Sequence, residues 1–424
     1  MSDIPIVIIS YNNYKFVQNT LKQILRINKD YYNNIIILDN CSNDKDTINY
    51  LQNVDVKIIN NSSNPGPWIS QYQNKHIYDI LPSKFILTDP DLELNENIPT
   101  NFIEILADLS DKYNCRKIGF ALDINEPDKM LDTPYFTKHN TPQGTIRDWE
   151  LQFWKYKIND EKYELYYADI DTTFCLINKN NIYSNNTLRI AGNFTAKHLP
   201  WYVDCKVYSL YESYSLYNKS TKISTISDTL YSYINNNYLK VNKNDEYFFI
   251  KKDKTNPNLT FWENNYTNWE NNKFSIMDKY LDTNKRYIEI GAKIGATAIY
   301  ANRKSKHVYS VEDNIYLYND MVANFKVNYT NSYTLINKDI SINNIIDNYD
   351  MTPNDISLVN IDIDGKEENI LFDLYNMHTK YNFPILININ YDKWENKNLE
   401  RFDFLTLDQK NNIITCKTNI IFEI

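Results

Sequence analysis

Arg286-Tyr-Ile-Glu289-Ile-Gly291-Ala-Lys-Ile-Gly295-Ala-Thr297 reads as a buried strand, a glycine turn and the first turn of a helix. The chain of 424 residues contains only seven glycines, and two of them fall on this turn. Glycine at such a place lets the backbone approach a ligand closely and leaves helix N-terminal amides free. A second strand follows at His307 to Val311 and ends in Glu312. Further downstream the pattern predicts a helix around Leu317 to Phe325 and strands near Tyr333 to Ile336, Leu358 to Ile363 and Ile385 to Ile389. Alternation of this kind predicts a doubly wound α/β domain over 258–424.

Toward the N-terminus a second alternation runs through Ile4 to Ile9, Phe16 to Ile27, Ile35 to Leu38, Val56 to Ile59 and Phe85 to Leu87, and predicts a parallel α/β sheet. A helix is expected over Asn101 to Tyr113, a strand near Ile118 to Leu122, loops around Pro127, Pro134 and Pro142, and one further strand from Glu164 to Asn178. This first domain is assigned 1–215, and the weakly patterned, Ser-, Thr-, Asn- and Lys-rich stretch 216–257 is expected to be a linker, with room for short elements at Leu230 to Leu239 and Tyr247 to Ile250. The chain is long enough for two cores.

Charged residues make up 23% and apolar residues 42%, and the net charge of −9 lies in no long blocks, so no basic stripe exists to neutralise a nucleic acid. Five scattered cysteines without a C-x-x-C pair suit a reducing compartment. The start lacks a signal peptide pattern and no run of about 18 apolar residues occurs. The expectation is a cytoplasmic protein with no transmembrane segment.

Chemistry enters at Phe85-Ile-Leu-Thr-Asp89-Pro-Asp91, where two carboxylates follow a buried strand at the ligand-binding end of an open sheet. Such a pair can hold a divalent cation against a diphosphate. Together with Ile6-Val-Ile-Ile-Ser10-Tyr11-Asn12 and Ile35-Ile-Ile-Leu-Asp39-Asn40, the segment resembles family 2 glycosyltransferases of the GT-A fold. Asn64-Pro-Gly66-Pro67-Trp68, Asp171-Thr-Thr-Phe174 and His198-Leu-Pro-Trp201-Tyr202-Val-Asp204 resemble blocks of bacterial surface-polysaccharide glycosyltransferases. The resemblance covers residues 4 to 205. It implies donor contacts from Ser10, Tyr11, Asp39, Gly66, Pro67 and Trp68, and Mn2+ or Mg2+ on Asp89 and Asp91, with His198 as third ligand or base. Asp171 and Asp204 are the other candidate bases, and Trp201 and Tyr202 belong either to a sugar-stacking face or to the core. The implied donor is a UDP-sugar or a related nucleoside-diphosphate sugar, and the acceptor a glycan or lipid-linked saccharide. The E-D pair usual in that family is missing.

In the second domain, the E-x-G-x-x-x-G spacing is that of S-adenosylmethionine (SAM) enzymes, not the G-x-G-x-x-G of dinucleotide sites. Trp262, Trp269-Glu270, Phe274, Asn324 and Asn360-Ile-Asp362-Ile-Asp364-Gly-Lys-Glu367 extend this into a resemblance to FkbM-type methyltransferases over residues 262 to 395. It implies a Rossmann-like SAM fold in which Glu289, Gly291, Gly295 and Glu312 hold the cofactor, Glu312 through the ribose hydroxyls. The resemblance also implies that Asp362 and Asp364 orient or deprotonate a sugar hydroxyl, the other reading of these carboxylates being a helix N-terminal cap. Two positions depart from the family pattern: E-P-x is Glu312-Asp313-Asn314, and S-x-H is Asn388-Ile-Asn390. The combined expectation is a bifunctional enzyme of surface-glycan biosynthesis, the alternatives being a glycosyltransferase with a degenerate SAM fold or a carbohydrate-binding scaffold.

Overall fold

A computed structural model describes residues 3–136, 142–218, 225–244, 246–252, 265–329, 332–338, 341–414 and 419–422. Trp262 lies outside them. The chain is an α/β protein of two compact units, Met1–Tyr233 and Ile234–Ile424.

The strands of the first unit are β1 (Ile6–Ser10), β2 (Ile35–Asp39), β3 (Lys57–Asn60), β4 (Lys84–Thr88), β5 (Leu92–Leu94), β6 (Lys117–Phe120), β7 (Pro134–Phe136), β8 (Pro142–Thr145), β9 (Lys157–Ile158), β10 (Leu165–Tyr167), β11 (Cys175–Asn178), β12 (Thr187–Ile190) and β13 (Ala196–His198). Nine form one sheet in the order β3-β2-β1-β4-β11-β6-β12-β10-β9. Only the half built from β3 to β4 is wholly parallel; β11 runs antiparallel to both its neighbours. All five residues of β1 are buried, as a strand covered on both faces requires. The helix Tyr14–Ile27 follows β1, and its Phe16, Val17, Leu21, Ile24 and Ile27 recur at helical spacing and are buried. The single strand expected from Glu164 to Asn178 is instead two, β10 and β11, separated by the irregular segment 168–174, which ends in Phe174 at a left-handed φ of 47°. A separate ladder pairs β5 with β13 and sets His198 opposite Leu92, one residue beyond Asp91.

The described residues of the stretch expected to be a linker form regular elements. They include the end of a helix at Leu210–Asn218, the helix Thr225–Asn237, and a hairpin of β14 (Tyr238–Lys243) and β15 (Glu246–Lys251). Val241, Phe248 and Ile250 of the hairpin are buried in the core of the second unit with Phe274, Tyr300 and Phe325. Lys243 is wholly buried and donates to the carbonyls of Thr267 and Trp269 and to Asn271. Asn328 on the helix Ile315–Asn328 bonds both backbone groups of Phe249, replacing a neighbouring strand.

That unit's main sheet comprises β16 (Arg286–Ile290), β17 (His307–Val311), β18 (Tyr333–Ile336), β19 (Ile356–Ile361), β20 (Ile385–Asn388) and β21 (Asn419–Phe422). The order is β18-β17-β16-β19-β20-β21, parallel except for β21. The direction of winding reverses between β16 and β19, and open sheets bind ligands in the crevice beyond the carboxyl ends of such strands. No helix among the described residues is long and apolar enough to cross a membrane.

Candidate functional site

In the first unit the carboxyl ends of β1, β2 and β4 bring the expected donor and metal residues to one edge. Ser10 and Asp39 are register partners, and Ser10 Oγ lies 3.3 Å from Asn13 Oδ1. Asp39 accepts from the backbone N–H (2.9 Å) and hydroxyl of Ser42, so its carboxylate closes the turn after β2. The Tyr11 backbone N–H donates to Asn13. Gly66, Pro67 and Trp68 are held by a buried amide network: Asn40 donates to the Gly66 carbonyl (3.1 Å), Asn74 to the Trp68 carbonyl (2.9 Å), and Asn61 to both Asn40 and Asn74. Gly66 has φ 102°, a region that favours glycine. The Trp68 indole N–H donates to Asp171, which joins a donor residue to a candidate base.

Asp89 and Asp91 occupy the bend between β4 and β5. Thr172 donates to Asp89 through its hydroxyl, and the Asp89 N–H donates to the Thr172 carbonyl (2.9 Å). One oxygen of Asp91 faces His198 Nε2 at 3.3 Å and accepts from the Tyr217 hydroxyl at 3.1 Å. Its other oxygen, Oδ1, and His198 Nδ1 are buried without a hydrogen-bond partner. Burial and the charge of Asp91 push Asp89 upward. Burial opposes ionisation of Asp91 as well, but the charge and hydrogen bond of His198 outweigh it and hold Asp91 low. His198 is correspondingly raised by Asp91 against its burial. Two adjacent buried carboxylates cannot both ionise cheaply without a cation.

His198 thus pairs with Asp91, and no three His, Cys, Asp or Glu side chains among the described residues form a ready-made metal shell. The donor set suits a hard cation that takes carboxylate oxygens from Asp89 and Asp91, the orphaned Oδ1 included, and completes its shell with ligand oxygens. Asp204 is exposed. Trp201 and Tyr202 are both buried; Trp201 packs edge-on against His198 and Tyr202 donates to the Asp123 carbonyl, so the stacking role is not available to them.

In the second unit a cavity of about 940 Å³ opens at the switch point and is lined by Gly291, Lys293, Glu312, Asn314, Asp362 and Asp364, among others. Glu312 accepts from the N–H of Lys293 (2.8 Å) and of Asn314 (3.0 Å), tying the glycine turn to the end of β17. Glu289 and Gly295 lie behind the cavity wall. Glu289 accepts from Thr297 and from Asn360 Nδ2 (2.7 Å), and a Cβ on Gly295 would meet Met321 at 2.9 Å. Asp362 is bracketed by Lys293 at 3.1 Å and by the buried Lys273 at 3.5 Å. Asp364 pairs with Lys393 at 2.5 Å and accepts from Asn390 at 2.9 Å, and these bonds hold its carboxyl low. Neither aspartate is an unpaired base.

No protein-family model and no curated relative matches the chain. Among solved structures it is similar to a precorrin-6y C5,15-methyltransferase from Geobacter metallireducens GS-15, at 16% identity over 35% of this chain and 69% of that one, with a TM-score of 0.24. An rRNA methylase from Streptococcus thermophilus gives 17% identity, 32% and 79% coverage and a TM-score of 0.27. A mannosyltransferase from Pyrobaculum calidifontis, in complex with GDP-Man and Mn2+, gives 10%, 28%, 36% and 0.23. Likeness at this level says nothing of substrate or activity.

Two features escaped the sequence. Glu150 and Arg189 form a buried ion pair, with the Arg189 guanidinium 4.0 Å over Phe153; the one legible sign was an arginine inside the buried strand β12. Lys273, only 1% exposed, gave no sign at all.

Glu289 makes the second unit sensitive to pH. Burial pushes it up to about 7 from an ordinary 4.5, against the charge of Lys273 and two hydrogen bonds. The folded chain therefore keeps a proton that the unfolded chain releases, so this contribution to stability is complete below the unfolded value and lost as pH rises through about 7. Glu289→Gln is expected to flatten the fall in melting temperature between about pH 5 and pH 8. Equal slopes in wild type and variant would refute the assignment.

Proposed function

We propose that the chain is a two-unit transferase of surface-glycan assembly. The first unit transfers a sugar from a nucleoside-diphosphate donor to a glycan or lipid-linked acceptor, and the second binds SAM and O-methylates a sugar. The observation that carries the reading is the pairing, in one cavity at the switch point, of the Gly291 turn with Glu312. The ribose hydroxyls of SAM would donate to Glu312, whose two bonded oxygens still have lone pairs free, while the methionine end lies over the turn. For the first unit the support is the pair Asp89 and Asp91 beside an unsatisfied carboxylate oxygen. A divalent cation there would neutralise the diphosphate and assist its departure. Asp171, held by Trp68, would take the acceptor's proton, while His198, whose proton Asp91 retains, would orient the Asp91 carboxylate.

Calorimetric titration of wild type with SAM should show binding, and Glu312→Ala should weaken it by about 10- to 100-fold, the worth of hydrogen bonds to a charged partner. Absence of binding at millimolar SAM would sink the cofactor assignment. A second reading, in which the cavity binds SAM without transferring its methyl group, draws on the ion pairing of both Asp362 and Asp364. Methylated product from any sugar acceptor would exclude it.

A further inference from the structure

Lys293 is the middle residue of the glycine turn, and three facts about it stand together. Its backbone has a left-handed φ of 53°, and its N–H is fixed by Glu312 at 2.8 Å, so the base of the side chain is held at the cavity wall. The side chain is half exposed, and its amine reaches across to Asp362 Oδ1 at 3.1 Å. Asp362 already has a second cation, Lys273, which is 1% exposed and 3.5 Å from Oδ2.

A buried carboxylate that loses its partner is costly, but Asp362 keeps Lys273 when Lys293 moves away. One lysine is therefore permanent and the other is available. Resting on the cofactor reading above, we propose that Lys293 is the anchor for the α-carboxylate of the methionine end of SAM, exchanging Asp362 for the cofactor when it binds. The chemistry is direct: an ammonium on a flexible stem meets the carboxylate group of a ligand whose ribose is gripped by Glu312 one bond away from the same backbone N–H.

The test compares two thioether ligands that share the adenosine and differ in the amino-acid end: S-adenosylhomocysteine, which has the carboxylate, and 5′-methylthioadenosine, which lacks it. Calorimetry on the full chain is expected to show Lys293→Met weakening S-adenosylhomocysteine about 10- to 100-fold while leaving methylthioadenosine unchanged, and Lys293→Arg restoring most of the loss. Because methylthioadenosine reports an intact cavity, a folding defect would weaken both ligands. Equal weakening of both at an unchanged melting temperature and in Lys293→Arg as well, or weakening of neither, overturns the role of Lys293 and leaves the cofactor reading standing. Wild type that binds neither ligand overturns both.

Discussion

Gly291→Ala is expected to unfold the second unit under conditions where the first stays folded. A Cβ at this position would sit 1.9 Å from the carbonyl oxygen of Asp362 and 2.6 Å from its carbonyl carbon, and the backbone has φ 80°. The obstacle is main chain at the end of β19, which is hydrogen-bonded to β16 through Asp362 N–H to the Ile290 carbonyl at 2.9 Å. Relief requires the two central strands to part, so the cost should be at least about 4 kcal/mol, in the exceptional range for a single substitution. The first collision of added bulk at Gly291 is thus with the protein itself and not with a ligand lying over the turn. Gly192→Ala is the control: its φ is 66° but nothing lies within 4 Å of the added carbon, so only the left-handed backbone costs, about 1–2 kcal/mol. Urea unfolding followed by amide exchange in each unit reads both. A wild-type midpoint for the second unit of Gly291→Ala would show that β16 and β19 do not meet as described.

The second large effect concerns the first unit. Converting Asp89 and Asp91 together to asparagine should abolish Mn2+-dependent binding of UDP, a loss of about 100-fold or more in affinity. Binding of SAM is expected to stay as in wild type. Asparagine keeps the shape of each side chain and an acceptor oxygen for Thr172 and Tyr217, while it removes the negative charges that a cation would need. Replacing Asp89 relieves a buried carboxylate beside Asp91, whereas replacing Asp91 takes the partner of His198, so the double variant is expected to melt lower than wild type and its binding is read well below that transition. Calorimetry showing undiminished metal-dependent binding in the double variant would remove Asp89 and Asp91 from the site. Binding lost together with the fold would leave the carboxylates as structural groups only.

What the sequence determined by itself is local. Runs such as Ile6–Ser10 and Ile356–Ile361, buried throughout, announce strands of a covered sheet because each residue's burial follows from its own type and its neighbours'. The two glycines at 291 and 295, both at positive φ, mark the turn for the same reason, and Asp89 and Asp91 follow their strand by chain connectivity alone. Tertiary structure decided the rest. The 216–257 stretch looks like a linker because its pattern is weak, yet its hairpin is fixed by distant partners, Asn324 and Asn328 bonding Lys251 and Phe249. Glu150 finds Arg189 across 39 residues and Lys293 finds Asp362 across 69, and neither pairing leaves a periodicity to read. Whether a carboxylate is a free base, a metal ligand or half of an ion pair depends on which charge the fold buries beside it, since burial penalises an unpaired charge and a neighbour of opposite sign removes the penalty. The roles of Asp89, Asp91, Asp362 and Asp364 were therefore set by packing, while their positions at the strand ends were already written in the order of residues.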